Sequence, residues 1–227
     1  ARVLRMDRDT TSGKDDMKRI LSDFAGHKAD ILIGTQMIVK GHDFENVTLV
    51  GILAADLSMH TGDYLSSEKT FQLLVQAAGR SGRSSRNGRV IIQTYQPDHY
   101  AVKSAARQDY GEFFDQEIMF RKIMRYPPAA HMLMMLFEGK NEAQTEMAAE
   151  AAGKAVKKYT AGKGEMLGPS KASISKGKDL YRYVIYLKDV SAERLMDIKE
   201  NMEKETVSYD VYHDIYINYD MDPVVLP

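Results

Sequence analysis

Cysteine is absent from the 227 residues, so no disulfide and no thiolate-bound metal can form among them. That absence suits a reducing compartment. No apolar run reaches the roughly 18 residues that a membrane span needs, and the N-terminus lacks the pattern of a secretory signal. A cytoplasmic protein without membrane contact is expected. The six histidines, His27, His42, His60, His99, His131 and His213, are scattered without the spacing of metal ligands. No metal site is expected. Neither an internal repeat nor a low-complexity tract is present, and the chain enters at Ala1-Arg2-Val3-Leu4-Arg5-Met6 without an initiator Met. It reads as an excised fragment.

The formal net charge of −1 conceals three blocks. Asp and Glu are missing between Thr70 and Pro97, where Arg80, Arg83, Arg86 and Arg89 recur at a spacing of three. From Gly153 to Lys188 nine Lys and Arg stand against Glu165 and Asp179 alone. From Asp189 to Pro227 the balance reverses, with ten acidic residues against Arg194, Lys199 and Lys204. The two basic blocks are placed to meet anions, and the acidic one is not.

Hydrophobic periodicity divides the chain near its middle. Residues 2–7 alternate as a strand. Asp9-Thr10-Thr11-Ser12 reads as the opening of a helix that carries Met17, Ile20, Leu21 and Phe24 and ends at Gly26. Asp30–Gly34 and Val47–Ala54 are short apolar runs of buried-strand type. Ser66–Gln76 predicts a helix with Phe71, Leu74 and Val75 on one face, and Arg89–Thr94 a further strand. Strands alternating with helices predict an α/β layer with a parallel sheet. Residues 98–126 read as one helical connector with an apolar stripe, halted at Tyr126-Pro127-Pro128. Beyond it, strands at 132–137, 166–167, 181–187 and 211–219, with helices at 142–158 and 192–203, give the order β-α-β-β-α-β of a ferredoxin-like α+β sandwich. The expected divisions are 1–97, 98–130 and 131–227. The fourteen methionines, Met132, Met134 and Met135 among them, are expected to fill gaps in the core.

Three constellations carry chemistry. Gly34-Thr35-Gln36-Met37-Ile38-Val39-Lys40-Gly41-His42-Asp43-Phe44 follows a strand directly, and in open α/β sheets ligands gather at the carboxyl ends of strands. Thr35 and Gln36 are positioned to touch a phosphate, Gly41 to let the backbone approach a ligand, and Asp43 to accept from a ribose hydroxyl. The same residues also suit a plain strand-to-helix turn, with Thr35 capping and Asp43 solvated. Gln76-Ala77-Ala78-Gly79-Arg80-Ser81-Gly82-Arg83 sets two guanidiniums at a helix end, where they either reach phosphate oxygens or oppose the macrodipole as solvated cations. Lys171, Lys176, Lys178, Arg182 and Lys188, with serines interleaved and Tyr181, Tyr183 and Tyr186 following, suit phosphate contact and base stacking. They equally suit a solvated hairpin with tyrosines facing a core.

In this order the first two constellations resemble motifs V and VI of superfamily 2 helicases, and their details resemble the PriA-type primosomal DNA helicases. Asp7-Arg8-Asp9-Thr10-Thr11, Ile31–Met37 with Lys40–Phe44, Val47–Val50 and Gln76–Arg83 carry the resemblance. Leu167-Gly168-Pro169-Ser170 and Asp220-Met221-Asp222-Pro223 fit that family's tail. Val39 and Ala77 depart mildly from its pattern, and neither removes a donor or acceptor.

The resemblance implies a partial RecA-like second helicase lobe, followed by a ferredoxin-like, ribosomal-S10-like DNA-binding domain. It assigns Thr35, Gln36 and Lys40 to the DNA backbone, Gly41 and Asp43 to the nucleotide and coupling network, and Gln76 to sensing the nucleotide. It makes Arg80 and Arg83 arginine fingers. It adds Lys171, Lys176, Lys178 and Arg182 as further DNA contacts. It implies an ATP- and Mg²⁺-dependent 3′→5′ motor that restarts replication on forked and single-stranded DNA. Single-stranded DNA-binding protein and primosome loader proteins would be its partners, and zinc would be bound upstream of Ala1. Neither a G-x-x-x-x-G-K-[ST] phosphate loop nor an Asp-Glu metal motif occurs in these residues, so this fragment alone is expected not to hydrolyse ATP.

Overall fold

The computed structural model describes residues 1–13, 15–39, 46–59, 63–81, 88–160, 164–177 and 179–227. Its chain falls into two compact units, Ala1–Asp115 and Gln116–Pro227.

The first unit runs β1 (Val3–Met6), α1 (Asp16–Ala25), β2 (Ile31–Gly34), a 3-10 turn (Gln36–Val39), β3 (Leu49–Ile52), a second 3-10 turn (Ala55–Ser58), α2 (Ser66–Ala78), β4 (Arg89–Ile92), α3 (Tyr100–Arg107) and the start of α4 (Tyr110–Met124). Strands and helices alternate as the periodicity predicts. The strands form two parallel pairs, β1 with β2 and β3 with β4, and not one continuous sheet among the described residues. Among the described residues each of these strands therefore has one ladder partner. Val3, Ile31, Ile33, Leu49 and Ile91 are exposed, so the runs read as buried strands are covered on one face at most.

Helix α1 begins later than Asp9-Thr10-Thr11-Ser12 suggests. The reason is local: the Asp7 carboxylate accepts from the Thr10 amide at 3.0 Å, and the Thr11 hydroxyl donates to the Asp7 carbonyl at 2.6 Å. These bonds hold a turn where a helix would otherwise start. Gly26 ends α1 as expected, its amide donating to the Ser22 carbonyl. The core of this unit joins Phe71 and Leu74 of α2 to Ala101, Val102 and Ala105 of α3 and Phe113 of α4. The Phe71 and Phe113 rings stack at 4.2 Å between centroids.

The single helix expected over 98–126 is two helices. Gln108 adopts φ +55°, closing α3, and Asp109 opens α4 by accepting from the Glu112 amide at 2.9 Å. Of the expected apolar stripe only Phe113 is deeply buried, while Tyr110, Phe114, Ile123 and Met124 are exposed. α3 and Phe113 share the core of α2, so the segment from 98 to 115 packs as part of the first unit.

The second unit continues through β5 (His131–Gly139), α5 (Glu142–Thr160), β6 (Glu165–Gly177), β7 (Leu180–Asp189), α6 (Ala192–Ser208), a 3-10 turn (Asp210–Tyr212) and β8 (Tyr216–Met221). The sheet order β6-β7-β5-β8, antiparallel at each pairing, is that of a ferredoxin-like sandwich. Two expectations are corrected. The strand at 166–167 extends to Gly177, and the strand at 211–219 starts with a 3-10 turn and becomes extended only at Tyr216.

Alternation along the central strands sorts the side chains. Leu133, Met135 and Phe137 of β5, with Tyr183, Ile185 and Leu187 of β7, face α5 and α6. Each large apolar side chain buried there contributes about 1.5–3 kcal/mol. Helix α5 offers Ala148, Ala149, Ala152, Ala155 and Val156 to the same core, and small residues let it lie close to the sheet. Met134, Ala172 and Val184 form a smaller cluster on another patch. Met132, Met134 and Met135 are buried, as expected of core-filling residues, but Met119, Met124, Met147 and Met196 are exposed, which corrects the expectation at those positions.

Candidate functional site

The strand end that precedes Thr35 is set by packing. A side chain at Gly34 would meet the Met6 carbonyl oxygen at 2.1 Å and Ile38 Cδ1 at 2.6 Å, so glycine lets β2 lie beside β1 while the chain turns sharply into the next segment. The Thr35 carbonyl accepts from the Ile38 amide at 3.1 Å, closing that turn. Thr35 and Gln36 are exposed at the carboxyl end of β2, the edge where parallel sheets receive ligands.

Helix α2 supplies the second constellation. Gln76 lies in its last turn, and Gly79 caps it by donating to the Val75 carbonyl at 3.0 Å. The chain then coils onward, with the Arg80 amide donating to Ala77 and the Ser81 amide to Ala78, each at 3.1 Å. Arg80 thus leaves the helix at its carboxyl end, half-buried. The Gln36–Val39 turn packs against α2, as does the Ala55–Ser58 turn. The structure therefore brings the segment bearing Gln36 and the helix bearing Gln76 together. Lys40, Gly41, Asp43 and Arg83 lie outside the described residues.

A residue that the sequence reading passed over organises this edge. Asp56, buried in the turn after β3, accepts from the Thr94 hydroxyl, from the Tyr95 amide at 2.8 Å and from the Gln96 amide at 3.2 Å. The Thr94 hydroxyl bond and the Tyr95 amide hold its carboxyl below the usual range. Asp56 thereby ties the loop after β3 to the loop after β4. Its signal in the sequence is faint, since a lone Asp between Ala55 and Leu57 looks like a surface residue.

The basic residues of the second unit are arranged differently from one another. Lys171 donates to Glu142 at 2.6 Å across an exposed surface, and that hydrogen bond raises its pKa. Arg182 donates through Nε to Glu138 at 2.7 Å, and the other Glu138 oxygen accepts from Asn218 at 3.2 Å. Both acids lie outside the acidic stretch from Asp189 onward. Lys176 stands opposite Tyr181 in the ladder, and Lys178 lies outside the described residues. Lys188 is not a surface cation: its side chain is 2% exposed, and its ammonium lies 3.9 Å over the Tyr126 ring and donates to the Met124 carbonyl at 3.1 Å. Tyr183 is 4% exposed within the main core, which removes it as a stacking surface.

Among the described residues no group of three or more His, Asp or Glu could hold a metal ion. No helix among them is long and apolar enough to cross a membrane.

Residues 1–85 match the helicase conserved C-terminal domain. The first unit thus belongs to the class of helicase C-terminal domains, and the match spans both Gly34–Phe44 and Gln76–Arg83 of the sequence. Residues 122–224 match the primosomal protein N C-terminal domain. The replication restart protein PriA of Bacillus subtilis (strain 168) is 41% identical over 227 residues, which is 100% of this chain and 28% of that protein. Those of Chlamydia pneumoniae and Synechocystis are 41% identical over 82% of the chain and 35% identical over 98% of it, covering 25% and 26% of the relatives. The chain belongs to the PriA family and spans under a third of the length of these relatives.

Proposed function

We propose that this chain works within an ATP-dependent, 3′→5′ DNA helicase that restarts replication at stalled or forked DNA in the cytoplasm. The observation that carries the reading is the packing of the Gln36–Val39 turn against α2, which joins a strand-end turn to a helix ending in Gln76 and Arg80. Thr35, Gln36 and Lys40 hold the DNA backbone. Gly41, Asp43 and Gln76 attend the nucleotide, and Arg80 with Arg83 reaches the γ-phosphate, where a planar guanidinium stabilises charge that builds up during transfer.

ATP and Mg²⁺ fit this chain only in part. Gln76 and the arginines suit phosphate oxygens, but the sequence has no phosphate loop and no Asp-Glu motif. Those functions belong to residues elsewhere in the protein, and the 227-residue chain alone is inactive as an ATPase. Zinc does not fit here, because Cys is absent and no described cluster suits a metal. Lys171, Lys176, Lys178 and Arg182 add sequence-independent phosphate contacts, and single-stranded DNA-binding protein and primosome loaders are the partners.

The test uses a protein of the relatives' full length. Arg80→Ala or Arg83→Ala should lower DNA-stimulated ATP hydrolysis by about 10³-fold or more and leave DNA affinity nearly intact. Thr35→Ala should raise the DNA concentration needed for stimulation without changing nucleotide binding. Wild-type turnover in the arginine variants would refute the reading.

A further inference from the structure

Tyr95 is 88% exposed, more than any other aromatic residue among those described. A single apolar side chain in water is ordinary; what surrounds this one is not. Its amide, the next amide and the preceding hydroxyl all converge on the buried Asp56, so the backbone that carries the ring is fixed. Ala54 takes φ +50°, a left-handed conformation unfavourable for a residue with a Cβ. That turn buries Asp56 while leaving Leu53 and Leu57 77% and 76% exposed. The Ala55 amide donates to the Gln93 carbonyl at 3.1 Å, so the two loops run side by side. Both follow the carboxyl ends of the parallel strands β3 and β4. Two exposed leucines and an exposed tyrosine thus stand on a rigid support at the ligand edge of the sheet.

We propose that Tyr95, with Leu53 and Leu57 beside it, is a stacking platform for an unstacked base of single-stranded DNA. The inference deepens the motor reading and rests on it. Helix α2 packs against both the Gln36–Val39 turn and the Ala55–Ser58 turn, so the turn proposed to meet phosphates and the loop that supports Tyr95 rest on one helix. Stacking suits every base, because each has a π-face. A moving motor needs contacts of that kind.

The chain contains no Trp, so Tyr95→Trp creates a single reporter. The 227-residue chain is titrated at low salt with labelled oligothymidylate and with an abasic oligomer of equal length, following anisotropy and Trp emission together. Oligothymidylate should quench Tyr95→Trp with the midpoint seen by anisotropy, and the abasic oligomer should bind without quenching. Tyr95→Ala should bind oligothymidylate about tenfold more weakly or worse and the abasic oligomer unchanged, while Tyr95→Phe stays within about twofold because its ring still stacks. DNA binding with no quenching and no loss in Tyr95→Ala overturns the platform and leaves the DNA reading standing. A Tyr95→Ala chain that melts at a lower temperature shows a packed ring and also overturns it. Absence of DNA binding in every variant removes the DNA reading and the platform together.

Discussion

Alanine at Gly34 tests whether the strand end is shaped by contact. The added Cβ would lie 2.1 Å from the Met6 carbonyl oxygen, a backbone atom in the residue directly opposite Gly34 in the ladder. Met6 is fully buried, so it has nowhere to retreat. Ordinary contact begins near 3.4 Å, and the strands must part by about 1 Å, more than their hydrogen bonds tolerate. A cost of about 1–3 kcal/mol follows from overpacking. For a unit of about 100 residues this lowers the melting temperature by about 4–20 °C. Gly51 provides the matched control, since a Cβ there meets nothing within 4 Å. Gly51→Ala should be neutral or stabilise by about 0.5–1 kcal/mol, because glycine is unfavourable inside a strand. Calorimetry of both variants, with amide exchange across β1 and β2, measures the contrast. If the two variants melt together and exchange alike, the close approach is not what demands glycine.

Arg121 and Glu117 form a buried pair at 2.7 Å, 7% and 6% exposed, and Arg121 also donates to the Pro127 carbonyl. Arg121→Met should cost about 3–5 kcal/mol by removing one ion of a buried pair, and adding Glu117→Met should recover most of it; equal urea midpoints for the single and double variants would contradict this. The Arg2 side chain and amide hold the Asp30 carboxyl down to about 2. A carboxylate whose folded pKa is depressed stabilises the fold above its unfolded value, about 4, and loses that contribution as the pH falls toward 2. Asp30→Asn should flatten the stability profile between those values, and superimposable melting curves of the two proteins across that range would show that the pair does not matter.

Periodicity revealed the elements whose side chains alternate between core and water. Leu133, Met135 and Phe137, or Tyr183, Ile185 and Leu187, announce their strands because every second residue meets the same helices. The extension of β6 was hidden because Gly168, Pro169, Ser170 and Lys171 interrupt the apolar alternation; pairing with β7 makes them part of a strand, and Ala172 beyond them is deeply buried. The break at Gln108 carries no Pro or Gly, yet Asp109 followed three residues later by Glu112 is a helix-start pattern that could have placed it. The runs around Ile31 and Val50 looked buried because composition reports hydrophobicity and not the number of ladder partners. At the site, the glycines and arginines were legible as motifs. Asp56 and Tyr95 were not, since their roles depend on two loops that meet only once β3 and β4 pair.

The β6–β7 hairpin distributes its irregularities unequally. β7 pairs with β5 without interruption from His131 opposite Asp189 to Gly139 opposite Tyr181, whereas register shifts occur on the β6 side, between Leu167 and Ser170 and between Lys171 and Lys176. A one-residue slip of β7 would turn its core residues outward and its charged ones inward, so β7 has no freedom to accommodate change. β6 has that freedom, because a bulge absorbs extra residues by bending one strand alone. Insertions, deletions and exchanges of charge near the hairpin tip are therefore screened from the fold. Descendants of this sequence can vary the length and basicity of that edge without renegotiating the core.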